Sequence, residues 1–171
     1  MFGRAEHCAL CGLEVEAYNA LYRRGQVPLV PNLNLPESVR NERGYSPTSA
    51  LALIIANEFV DRFDLSRDRA AELAVHSLAL FGPRWGDVAK TSAAVAAGES
   101  PMADILLGVV DWTGAASKKR NRPNVALGTL PEIADQNPSA QNIIAVSATR
   151  CAALLRQRAA RAKIDLGDLW K

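Results

Sequence analysis

Chemistry needs particular side chains at particular spacings, and the run His7-Cys8-Ala9-Leu10-Cys11 is the first place where they crowd together. A thiol pair beside an imidazole suggests zinc or redox chemistry. A structural zinc takes four ligands, yet the remaining histidine and cysteine, His76 and Cys151, lie far along the chain. At i, i+3 on a helix, Cys8 and Cys11 read instead as small core residues. Cys151, on the apolar side of a later helix, reads the same way. Two histidines leave no base–nucleophile pair to assemble, and no Gly-x-Gly-x-x-Gly or Gly-Lys-Ser run is present to cradle a phosphate. The expectation is a protein that is not an enzyme and holds neither metal nor cofactor.

Two further groups have chemical potential. Ser117-Lys118-Lys119-Arg120-Asn121-Arg122 gathers four positive charges, as a solvated hairpin tip or a phosphate contact. Trp85, Trp112 and Trp170 read as core or interface anchors, or as walls of a ligand pocket.

The chain that must position these groups has 171 residues, 49% hydrophobic and 22% charged, which excludes collagen-like, wholly disordered and coiled-coil-only classes. Its longest apolar runs, Leu51–Ala56 and Ile105–Val110, are too short to span a bilayer. Three cysteines are an odd set, and Met1–Glu6 shows no apolar leader, so reduced thiols and a cytoplasmic location are expected. Charge is uneven. Residues 1–82 carry eight arginines against ten carboxylates, whereas residues 83–171 carry twelve bases against eight acids. A nucleic-acid reader in the first half must therefore work through placed arginines and not through bulk field.

Breaks divide the chain into elements. Leu10, Leu13, Tyr18, Leu21 and Tyr22 recur at helical spacings around Gly12, with Gly25 as a stop. Val27–Arg43, holding Pro28, Pro31 and Pro36, is expected to contain no helix. Ser46 reads as an N-cap and Pro47 as the first residue of a helix running over Thr48–Arg62, and a second helix fits Ser66–Phe81. The pattern changes at Gly82-Pro83, taken as a domain boundary. Beyond it lie expected strands Asp104–Trp112, Asn124–Leu130 and Asn142–Val146, then an amphipathic helix Thr149–Ala162 capped by Ser147. The class is α+β, with an N-terminal helix-turn-helix module at 1–82 and a small α/β domain at 83–171.

A short helix, a turn glycine, a second helix and Arg23-Arg24-Gly25-Gln26-Val27-Pro28 make up the layout of a helix-turn-helix. This stretch resembles the MerR-type winged helix-turn-helix, in which a basic pair, glycine, an apolar residue and proline close the recognition helix. The family then has a wing and an Arg-x-Tyr before a new helix, where Arg43-Gly44-Tyr45-Ser46-Pro47 stands. The resemblance covers about the first 80 residues. Asn19, Ala20 and Leu21 stand where the family usually has an arginine and a tyrosine pair, and the second half does not match its long dimerising helix.

The resemblance implies double-stranded DNA as partner. A recognition helix fits the major groove, where the carboxylates of Glu14 and Glu16 suit cytosine N4–H and Asn19 suits adenine. Tyr22, Arg23, Arg40 and Arg43 are placed for phosphates, and Tyr45 either contacts DNA or packs the wing. The expected function is sequence-specific transcriptional regulation as a homodimer joined through residues 83–171, in contact with transcription machinery. A phage-type accessory to DNA processing, either an excisionase or a small packaging subunit, uses the same module. A third reading, a protein-interaction module, fits the acidic balance of the first half.

Overall fold

The computed structural model describes residues 2–28, 45–100, 103–110 and 124–170. Glycines end the first two helices. Helix α1 (Arg4–Cys11) stops where Gly12 turns left-handed, at φ 69°. The Gly12 N–H donates to the Ala9 carbonyl and the Leu13 N–H to that of Cys8, the bond pair of a Schellman motif. Helix α2 (Val15–Arg23) ends alike, with Gly25 at φ 70° and the Gln26 N–H returning to the Leu21 carbonyl. Residues 29–44, with most of the proline-rich stretch and with Arg40 and Arg43, lie outside the described residues. At Tyr45 the backbone pairs antiparallel with Phe2.

Helix α3 (Pro47–Phe63) begins as expected. The Ser46 hydroxyl accepts from the Ser49 N–H (3.1 Å), and the Ser49 hydroxyl accepts from the Ser46 N–H (3.0 Å). Ser66 caps helix α4, which corrects the reading of its end: it spans Arg67–Ala96 without stopping at Phe81. Pro83 deprives the Ala79 carbonyl of its helical donor. The buried stripe Ala70, Ala74, Ser77, Phe81, Val88 and Ser92 nevertheless keeps helical spacing on both sides of it. The stripe passes from Phe81 through half-buried Trp85 to Val88, and this tertiary burial overrides the local preference.

Strands β1 (Leu106–Val110), β2 (Val125–Gly128) and β3 (Ile143–Ser147) form an antiparallel sheet in the order β2-β1-β3. Leu107 faces Leu127 on one side and Val146 on the other, so one sheet face carries a buried apolar row. The other face has the small residues Gly108, Ala126 and Ala145 in register. A side chain at Gly108 would lie 3.2 Å from Ile133, which packs there.

Ile133 belongs to helix α5 (Leu130–Gln136), which the sequence reading missed by extending the second strand to Leu130. The Thr129 hydroxyl accepts from the Glu132 N–H, and the Glu132 carboxylate accepts from the Thr129 N–H at 2.7 Å, so the strand gives way to a capping box. Ser147 caps helix α6 (Ala148–Ala162), as expected, and a single 3-10 turn covers Asp168–Trp170.

The architecture is thus α+β. Helix α6 packs against α1, α3 and α4. Cys151, Ala152, Leu155 and Ala159 share one buried cluster with Leu10, Cys11, Phe59 and Leu73. The apolar stripe of α6 is therefore used within the chain. Tyr22 and Leu130 are the exposed large apolar side chains among the described residues. No helix among them is long and apolar enough to cross a membrane.

Candidate nucleic-acid interface

Helices α1 and α2 bury one side each. Cys8, Leu10, Cys11 and Tyr18 go inward, and Glu14, Glu16, Ala17, Ala20, Arg23 and Arg24 remain exposed. Glu14 is the N-cap residue of α2 and Glu16 sits in its first turn, while Arg23 sits in its last. Acids at the start and bases at the end each complement the helix dipole, so the exposed side of α2 is negative at its entrance and positive at its exit.

The structure brings Asn19 and Tyr45 together through a residue the sequence reading missed. Arg4 donates from Nε to the Tyr45 hydroxyl (3.0 Å) and from Nη1 to Asn19 Oδ1 (3.2 Å). Arg4 opens α1, where a positive charge opposes the dipole. That misplaced charge was the available signal that its partners lie elsewhere. Asn19 is half-buried, with its Oδ1 engaged by Arg4.

Tyr45 packs as well as pairs. Its ring stacks on His7 with centroids 4.5 Å apart and meets Tyr18 edge-on at 5.9 Å. Tyr22 is exposed and stacks on Tyr18 at 6.4 Å. The aromatic cluster fixes Tyr45 against the start of α1 and the middle of α2.

Inside it, the cysteine–histidine run is packed and neutral. His7 is buried, its Nε2 lies 3.5 Å from Cys11 Sγ, and burial lowers its pKa to about 4. Desolvation pushes the Cys11 thiol up to about 12 and also raises Cys8 and Cys151. Protonated buried thiols are poor nucleophiles and poor metal ligands. No three metal-ligating side chains gather at one place among the described residues.

A second residue missed from the sequence is Arg158. Its Nη1 donates to the Leu10 carbonyl at 3.3 Å, and its guanidinium fills the space above Gly12, where a Cβ would lie 2.4 Å from Nη2. Burial lowers its pKa, and it serves the exposed carbonyl end of α1. Its signal was its place seven residues after Cys151, on the apolar stripe of α6. Helix α6 therefore braces the turn between α1 and α2 from behind.

No protein-family model matches the chain, and no curated protein matches it.

Proposed function

We propose that this chain binds double-stranded DNA through a MerR-like winged helix-turn-helix, with α2 as the reading helix, and acts as a sequence-specific transcriptional regulator. One observation carries the reading: α1, the left-handed Gly12 turn and α2 form a braced unit, and the Phe2–Tyr45 pairing returns the chain to it as a wing strand would. The exposed side of α2 then offers Glu14 and Glu16 to cytosine amino groups, the Asn19 amide to an adenine acceptor, and Arg23 to a phosphate. Tyr22 adds a phenol beside Arg23. Arg40 and Arg43, read from the sequence as phosphate contacts, lie outside the described residues. Tyr45 acts by packing the wing.

Such a module covers a short half-site, so the reading includes two copies of the chain joined through residues 83–171. Fluorescence anisotropy with a labelled duplex pool tests it. Affinity is expected to fall steeply with salt, and Arg23→Ala is expected to lower the slope of log K against log salt by about one. Asn19→Ala is expected to change sequence preference more than mean affinity. Binding that is absent, or indifferent to salt, overturns the proposal.

A further inference from the structure

A cavity of about 290 Å³ lies where the first turn of α3, the middle of α4 and the C-terminal 3-10 turn meet. Leu51, Leu78, Phe81, Trp85 and Trp170 make most of its wall, and no charged side chain lines it. Thr48, at the start of α3, supplies the one hydroxyl. The rings stand at angles to one another: Phe81 and Trp85 lie 6.0 Å apart and tilted, and Trp85 meets Trp170 edge-on at 4.8 Å.

The wall is built, not a frayed end. Arg156 donates to the Trp170 carbonyl, and its guanidinium lies 5.4 Å from the centre of the Trp170 ring. The same guanidinium is anchored on α4 by the Ser92 hydroxyl and the Ala89 carbonyl, each at 3.1 Å.

Gly82 forms part of the lining, inside the 30-residue helix α4. Glycine weakens a helix interior relative to alanine. A Cβ built at Gly82 meets nothing within 4 Å, and its backbone is not left-handed, so neither crowding nor conformation requires glycine. Gly82 is exposed and stands at the rim of the cavity, where the absent side chain leaves the mouth uncovered and a long one can lean across it.

We propose that this cavity is a binding site for a small, uncharged, planar aromatic molecule of one or two fused rings bearing a single hydrogen-bonding group. A charged guest would be desolvated against a lining without charged side chains, the Arg156 guanidinium lying behind the Trp170 ring and committed to the Ser92 hydroxyl and the Ala89 and Trp170 carbonyls. Rings tilted and edge-on to one another accept an aromatic guest by edge and offset contacts. The volume sits at the lower end of small-molecule cavities, roughly 300 Å³. Thr48 is the hydrogen-bonding partner. This assignment stands apart from the DNA reading and does not depend on it.

Calorimetry on the full chain tests it with 2-naphthol, naphthalene and 2-naphthoate. Saturable one-to-one binding of 2-naphthol is expected, with the charged 2-naphthoate at least about tenfold weaker. Gly82→Leu is expected to abolish binding while the thermal midpoint holds or rises. Thr48→Val, at an exposed position, is expected to weaken 2-naphthol several-fold and leave naphthalene unchanged, which keeps the test open if Gly82→Leu does not fold. Any of three results overturns the proposal: no saturable binding, equal binding by a folded Gly82→Leu chain, or a preference for 2-naphthoate. Loss of self-association in Gly82→Leu without a change in 2-naphthol binding also overturns it and assigns the cavity to a second copy of the chain.

Discussion

His7 stays neutral because burial takes its imidazolium out of water, and this ties stability to pH. Above pH 6.5 the ring is neutral in both folded and unfolded chains, so it contributes no pH dependence there. Between pH 6.5 and about 4 the unfolded chain binds a proton that the folded one refuses, so stability falls with pH. The loss levels off below about 4 and amounts to at most about 3 kcal/mol. Urea denaturation at pH 7 and pH 4.5 checks it: His7→Phe is expected to lose less stability over that interval than the parent by about 2 kcal/mol, the part of the loss complete by pH 4.5. Equal losses in both chains would show that other groups, the carboxylates foremost, carry the whole effect. The sequence showed at this site that the cysteines pack. It did not show that Tyr45 closes over His7, because that contact joins residues 38 positions apart and no local pattern encodes it.

Caps were the most legible feature among the elements, since each rests on residues a few positions apart. Gly12, Gly25, Ser46 and Ser147 all act as their types require. Two elements were misread for opposite reasons. Helix α5 was overlooked although Thr129-Leu130-Pro131-Glu132 spells its start, because the strand's apolar run continued into Leu130. Helix α4 was cut short because Gly82-Pro83 is a strong local stop, while the buried stripe that carries the helix through is a property of the tertiary fold. Pro83→Ala is accordingly expected to stabilise the protein by about 1–3 kcal/mol with no gain in helical circular dichroism. A rise in helix content would mean that α4 breaks at Pro83 in solution. At Gly12 the expectation has two parts. Alanine there meets the cost of a left-handed backbone, about 1–2 kcal/mol, and also displaces the Arg158 guanidinium. In an Arg158→Ala background the backbone part alone remains, so a double-mutant cycle is expected to give a coupling of about 0.5 kcal/mol or more. Strict additivity would show that Arg158 does not brace the turn.

For the whole molecule, the division at residue 82 was reasonable from composition and charge, which do change there. What composition cannot reveal is which faces meet. The buried stripe of α6 turns toward α1, α3 and α4, so residues from the last third of the chain complete the core of the first. A fragment ending at Gly82 loses α6 and the second half of α4 together. Leu10, Phe59 and Leu73, each buried in the shared cluster, would then be partly uncovered, along with Cys11. Fully burying a large apolar side chain is worth about 1.5–3 kcal/mol, so exposing several of them approaches the 5–15 kcal/mol that holds a typical domain folded, roughly speaking. The fragment 1–82 is therefore expected to be unfolded or molten, with weak near-ultraviolet circular dichroism and no cooperative urea transition. It is expected to bind DNA poorly for that reason, and not through loss of a dimer partner alone. A fragment that melts cooperatively at the midpoint of the full chain would show that the first 82 residues fold independently. The contacts of α6 would then dock two finished units, in place of completing one core.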